Sequence, residues 1–228
     1  MADERQRIAE EVVAACRILA HRRLCEAFGH VSARIPGTEY FLISPRRSLA
    51  LVRRPWDLVT VDLSGRKVEG AFDPPLETWI HTCLYRARPD VGAVARTHSF
   101  VTSVFSILGC PVQPVHNFGA ILLGDVPVFP RSELIETEQL GTELAAFIGQ
   151  GTAALLRGNG TVIVGKDVPE VCVRAVYLEE SALLQYRALR IGEPHYFRPE
   201  EVEVRGRQLL EPPHLRRAWE HYRLEAGA

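Results

Sequence analysis

The sequence predicts an α/β domain in which a mixed β-sheet is covered by helices on both faces. Two patterns carry this expectation. Alternating segments at 31–35 and 40–43, joined by Pro36-Gly37, have the form of an antiparallel hairpin. Further along, apolar strand-like runs at 91–95, 126–129, 153–157 and 161–164 are interleaved with segments of helical period, which places helices on both sides of one sheet. The 228 residues, 46% hydrophobic and 24% charged, suit a single domain over 1–228 with a sizeable core and a helical tail from about 196 to 228.

Taken in order, residues 3–27 read as an amphipathic helix, because Ile8, Val12, Cys16, Leu19 and Ala20 recur at helical spacing up to Gly29. The hairpin follows, then the polar loop Ser44-Pro45-Arg46-Arg47-Ser48 and a strand over 58–63 that ends in the tight turn Ser64-Gly65-Arg66-Lys67. Pro74-Pro75 opens a helix to about Arg88, with Glu77 and His81 four apart on one face. The strand at 91–95 leads to Arg96 and His98, and a helix follows over 99–108. An irregular stretch, 111–118, holds His116, and a helix spans about 136–148. Gly158-Asn159-Gly160 joins the two strands after it. A long helix over 169–191 carries acid early and arginine late, as its dipole prefers. A last helix covers 213–224.

Composition removes several function classes. A net charge of −1 offers no basic excess for nucleic acid or anionic lipid, and no apolar run approaches membrane-spanning length. Five scattered cysteines without C-x-x-C spacing read as buried free thiols, which suits a reducing, cytoplasmic compartment. The two lysines, Lys67 and Lys166, lie in a turn and just past a strand, so Schiff-base chemistry has no candidate. Gly158-Asn159-Gly160 sits between strands, not at a strand-to-helix turn, which argues against dinucleotide binding.

The candidate site residues are polar groups at element ends. Residues 96 and 98 alternate on one strand face, so Arg96 and His98 are expected in one cavity at the sheet's edge. Glu77, with His81 one turn on, is a candidate acid/base. Ser32 and Arg34 share a strand face near Ser44, and hydroxyls beside a guanidinium suit a carboxylate or phosphate. His116 is a further candidate in its loop.

Together these segments resemble the class II aldolase/adducin family over roughly residues 5–195. The matching stretches are Gly29-His30-Val31-Ser32-Ala33-Arg34, Leu42-Ile43-Ser44-Pro45, Asp57–Asp62, Pro74-Pro75-Leu76-Glu77 with His81, Arg88–Val94 and Leu155–Gly160 followed by Val162–Gly165. The Gly-His-Val-Ser-Ala-Arg form is similar to the branch of hydroxy-aromatic and hydroxy-pyridine dicarboxylate decarboxylases. The resemblance implies a three-layer α/β/α sandwich, a homotetramer with active sites at subunit interfaces, and a zinc, manganese or iron ion held by His-x-His and a later His. It gives Glu77 the role of acid/base or extra ligand. In this sequence Arg96 and Asn159 stand at the first and third histidine places, and only His98 remains.

A guanidinium is no metal ligand and an amide oxygen is a poor one for zinc, so the expected cofactor is none. The leading expectation is a metal-independent lyase acting on a small hydroxy-carboxylate by decarboxylation, retro-aldol cleavage or elimination. Arg96 and Asn159 would hold the developing oxyanion, Glu77 and His98 would move protons, and Ser32, Arg34, Ser44 and His116 would bind substrate. Two alternatives stand beside it. One is a divalent-metal enzyme using Glu77, His98 and a rearranged ligand from His81 or His116. The other is a noncatalytic, adducin-like binding protein.

Overall fold

The computed structural model describes residues 2–228. A first helix, α1 (Ala2–His21), leads into eight strands: β1 (His30–Arg34), β2 (Tyr40–Ile43), β3 (Val59–Asp62), β4 (Lys67–Glu69), β5 (Ala93–Thr97), β6 (Val128–Phe129), β7 (Ala153–Leu156) and β8 (Thr161–Gly165). They form one mixed sheet in the order β4-β3-β2-β1-β5-β8-β7-β6, antiparallel throughout except for the parallel pair β6–β7. Six more helices complete the chain: α2 (Thr78–Ala87), α3 (Phe100–Leu108), α4 (Glu138–Ile148), α5 (Val168–Leu189), α6 (Pro199–Leu210) and α7 (Pro212–Ala226).

Strand alternation splits the core in two. Val31, Ala33, Ala93, Ala95 and Ile163 face α1 and α5, joined by Trp219 and Tyr222 of α7. Phe41, Val61, Val94, Val162 and Val164 face the opposite way, against Ile80 and Leu84 of α2 and Leu144 of α4. The three-layer α/β/α architecture expected from the sequence is therefore the one observed.

Local departures have local causes. Helix α1 stops at His21 instead of 27, because Arg23 takes a left-handed φ of 56° and the Leu24 and Cys25 N–H groups fold back onto the Leu19 carbonyl. Helix α2 begins at Thr78, so Pro74-Pro75 precede it rather than open it, and Glu77 is its N-terminal boundary residue. The turn at 64–67 continues into β4, and the polar tail contains α6 as well as α7. Four cysteines are buried as expected, but Cys110 is exposed in the loop after α3. No helix among the described residues is long and apolar enough to cross a membrane.

Candidate active site

Four segments meet at one end of the central strands. His30 opens β1 opposite Arg96, and Thr161 opens β8 opposite Thr97, so antiparallel pairing alone brings Gly29-His30, Thr97-His98 and Asn159-Gly160 together. The N-terminus of α2 adds Glu77. A cavity of about 400 Å³ opens there. Its polar wall is His30, Glu77, His98 and Asn159, its apolar walls are Phe28, Pro45, Pro75, Leu76 and Leu134, and Arg46 and Arg47 stand in its lining.

Two glycines make this junction possible. Gly160 has φ +82°, and a Cβ on it would lie 2.1 Å from the Thr97 carbonyl oxygen and 2.7 Å from Arg96 Nη1. Gly29 has φ +132°, and a Cβ there would lie 2.4 Å from Cys25 Sγ and 2.9 Å from the Arg96 carbonyl oxygen.

Arg96 is fully buried and does not reach the cavity wall, which corrects the expectation that it meets substrate directly. Arg96 and His98 serve the same site at different depths: the Arg96 side chain is buried against Glu77, while His98, one residue past the end of β5, is exposed at the wall. Arg96 Nη1 donates to the Thr97 carbonyl at 2.6 Å, and Nε lies 3.3 Å from Glu77 Oε2. Neither Nε nor Nη2 has a directed hydrogen bond. The other Glu77 oxygen, Oε1, accepts from the Ile135 N–H at 3.2 Å.

These contacts set the charge states. Burial pushes the Glu77 carboxyl up, but His30, the Arg96 cation and the Ile135 N–H outweigh it and hold its pKa at about 2. Burial and then Arg96 lower His98 to about 4, against a smaller opposing pull from Glu77. Burial also lowers His30 and His81. Near neutral pH the wall is one carboxylate, backed by a guanidinium, among neutral imidazoles.

Behind the wall runs a buried polar file between β1 and α2. His30 Nδ1 lies 2.6 Å from His81 Nε2, His81 Nδ1 lies 2.6 Å from Ser32 Oγ, and Ser32 Oγ lies 2.7 Å from the Tyr85 hydroxyl. Ser32 is thus committed inside the fold, two residues deeper along β1 than the cavity. Arg34, two residues further, donates to the Tyr85 and Val91 carbonyls and lies 4.8 Å over the Tyr85 ring. Ser44 Oγ accepts from the Val31 N–H at 3.1 Å and is fully buried. His116 caps the turn Asn117–Leu122 and approaches Ser181 of α5, on the opposite face of the sheet. Of the eight expected site residues, Glu77, His98 and Asn159 line the cavity, Arg96 backs it, and Ser32, Arg34, Ser44 and His116 lie elsewhere.

Arg46 and Arg47 are read from the sequence only as parts of a polar loop, and within the polar wall the residue that the sequence does not single out is His30. Its signal is present: polar residues at 30, 32 and 34 form one strand face, and His81 and Tyr85 form a matching i, i+4 face on α2.

The donor set does not suit a divalent metal. Among the described residues no three His, Cys, Asp or Glu side chains are placed to hold one ion. The Arg96 cation already occupies the inner side of Glu77; a doubly charged ion about 4 Å from it would meet roughly 8 kcal/mol of repulsion at an effective dielectric near 20.

Known proteins share this architecture. The family model described as Class II Aldolase and Adducin N-terminal domain matches residues 10–186. The 3,4-dihydroxyphthalate decarboxylase of Arthrobacter keyseri is 32% identical over 200 residues, covering 80% of this chain and 79% of its own. The 5-methylthioribulose-1-phosphate/5-deoxyribulose-1-phosphate aldolase of Rhodospirillum rubrum is 32% identical over 163 residues, 71% of this chain and 73% of its own. The crystal structure of an aldolase II superfamily protein from Pseudomonas syringae superposes with a TM-score of 0.87 at 22% identity, covering 99% of this chain and 94% of that one, a likeness of fold.

Proposed function

The chain belongs to the class II aldolase and adducin family, and on that premise we propose that it is a lyase that decarboxylates a small hydroxy-aromatic acid without a metal ion. The observation that carries this reading is the Arg96–Glu77 pair: a buried cation directly behind a cavity carboxylate, where it supplies fixed positive charge without exchange. Similarity to 3,4-dihydroxyphthalate decarboxylases supports the reaction type, and the apolar walls of Phe28, Leu76 and Leu134 suit a flat ring.

The roles follow from charge state and position. Glu77, ionised, takes the proton of the ring hydroxyl and pushes electrons toward the carbon that bears the leaving carboxylate. That carbon takes a proton from solvent, relayed by His98 at the wall, as CO₂ departs, and Glu77 returns its proton to the ring oxygen as the ring regains aromaticity. Asn159 donates a hydrogen bond to the developing oxyanion, and Arg46 and Arg47 hold a substrate carboxylate. Arg96 keeps Glu77 ionised between turnovers. The aldolase relative favours a second reading, retro-aldol cleavage of a hydroxy-ketone, with Glu77 as base for the same kind of hydroxyl proton. Phe28, Leu76 and Leu134 are 75%, 54% and 51% exposed beside the cavity, and a second copy of the chain is the partner proposed to cover them in a homo-oligomer.

Incubation of the purified protein with 3,4-dihydroxyphthalate is the test. The expected result is one CO₂ and one dihydroxybenzoate per substrate, with kcat lowered about 10³-fold in Glu77→Gln. Absence of CO₂, with cleavage of a ketose phosphate instead, would select the second reading.

A further inference from the structure

The buried file behind the cavity has one direction in which every proton inside the file finds an acceptor and the last N–H faces the cavity. Its members, Tyr85, Ser32, His81 and His30, are all buried, and each neutral imidazole carries a single N–H. Suppose His30 donates from Nδ1. His81 must then donate from Nδ1 to Ser32, and Ser32 to Tyr85. Among the described residues Ser32 is the one side chain hydrogen-bonded to the Tyr85 hydroxyl, so the phenol proton has no side-chain acceptor left. The His30 Nε2 lone pair would also face the Glu77 carboxylate, 3.8 Å away.

Reversing the order removes both conflicts. The Tyr85 hydroxyl donates to Ser32 Oγ, Ser32 to His81 Nδ1, and His81 Nε2–H to His30 Nδ1. His30 then carries its proton on Nε2. At 3.8 Å from Glu77 Oε2 that N–H stabilises the carboxylate's charge, which lowers Glu77, without closing a directed hydrogen bond to it. His30 is one of the residues lining the cavity, so its Nε2–H is available to an oxygen atom held there. The neighbouring charges agree: the anion Glu77 attracts a donor at this point, and the Arg96 cation beside it opposes a second proton on the ring.

We propose that His30 is a fixed hydrogen-bond donor of this site, locked as its Nε2–H tautomer by Tyr85, Ser32 and His81, and that it binds the hydroxyl-derived oxygen of the substrate. His81, Ser32 and Tyr85 are positioning residues that act through it. The tautomer stands independently of the reaction; the choice of substrate oxygen rests on the decarboxylase reading above.

Nitrogen-15 NMR of histidine-labelled protein reads the tautomers in the absence of substrate. The expected spectrum has a pyrrole-type Nε2 and a hydrogen-bonded pyridine-type Nδ1 at both His30 and His81. In Ser32→Ala the His81 Nδ1 signal moves toward that of an unbonded ring nitrogen, whereas Thr82→Val, which removes a neighbouring hydroxyl outside the file, leaves it in place. A pyrrole-type Nδ1 at His30, or an unmoved signal in Ser32→Ala, overturns the lock. With 3,4-dihydroxyphthalate as probe, His30→Gln, which keeps an N–H near the Nε2 position, retains turnover within about tenfold, and His30→Leu loses at least a further tenfold in kcat. Equal kinetics in wild type and His30→Leu, or equal loss in folded His30→Gln and His30→Leu, overturns the donor role. If wild type turns over no 3,4-dihydroxyphthalate, the decarboxylase reading fails and the tautomer measurement still decides the lock.

Discussion

Replacing Arg96 by methionine removes a charge while keeping most of the side chain's length, and it isolates the cation's share, beside those of His30 and the Ile135 N–H, in holding Glu77 ionised. With Nε 3.3 Å from Oε2, the Coulomb attraction at an effective dielectric of 20 is about 5 kcal/mol. Converted at 1.36 kcal/mol per pH unit, that is between about 3 and 4 units of carboxyl pKa. Even if half is lost to relaxation and entering water, the Glu77 midpoint should rise from about 2 to nearly 4. Both groups are buried, so removing one partner should also destabilise the fold by roughly 3 kcal/mol at neutral pH. The pH dependence has a definite sign. Glu77 in the wild type binds its proton more weakly than in the unfolded chain, so its stabilisation is present above about pH 4.5 and is lost as pH falls toward 2. The gap between wild type and Arg96→Met must therefore widen from pH 2 upward and level off once the variant's own Glu77 is ionised. Urea unfolding across that range, with carbon-13 NMR titration of the carboxyl, measures both. A Glu77 midpoint still near 2 and a stability loss under 1 kcal/mol would refute the pairing as the cause.

His98 should titrate near pH 4 in the free protein by proton NMR. Because the unfolded chain binds that proton already near 6.5, His98 should also make stability decline as pH drops from about 6.5 to 4, an effect absent in His98→Asn. Gly160→Ala forces a Cβ into the Thr97 carbonyl at a positive φ and should cost at least about 2 kcal/mol in urea unfolding. Dialysis against a chelator should leave decarboxylation unchanged, with substoichiometric zinc, manganese and iron by elemental analysis; activity restored only by added metal would count against the role given to Arg96.

The parts of the structure legible in the sequence are those that local pattern determines. β2 falls on the expected residues because Tyr40–Ile43 is bounded by a Pro-Gly turn and a Ser-Pro step. The strands flanking Gly158-Asn159-Gly160 are bounded as clearly, and the three-layer order follows from the alternation of elements. The site was partly legible for the same reason: Glu77, His98 and Asn159 sit at element ends, and pairing of β1, β5 and β8 carries those ends together. What alternation does not reveal is depth: Arg96, still within β5, is buried against Glu77, while His98, one residue past the strand end, is exposed at the wall. Partner choice was invisible for a different reason. Ser32, Arg34 and Ser44 look like a ligand site because nothing local reveals that His81, Tyr85 and the Val31 N–H, distant in sequence or across the strand, already bind them.

The two glycines that press on either side of Arg96 bear on how this protein can change over generations. Gly160 leaves room for the guanidinium and Gly29 for the backbone that carries it, while Glu77 depends on the charge they accommodate. A single exchange at position 96 would empty the space and strand the carboxylate, and a single gain of bulk at 29 or 160 would collide with its neighbours. In this chain each first move away from the arrangement therefore costs stability, and a change at any of the four positions calls for a compensating change at another. Arg96, Glu77, Gly29 and Gly160 form one interdependent unit, although they lie up to 131 positions apart in the chain (from 29 to 160).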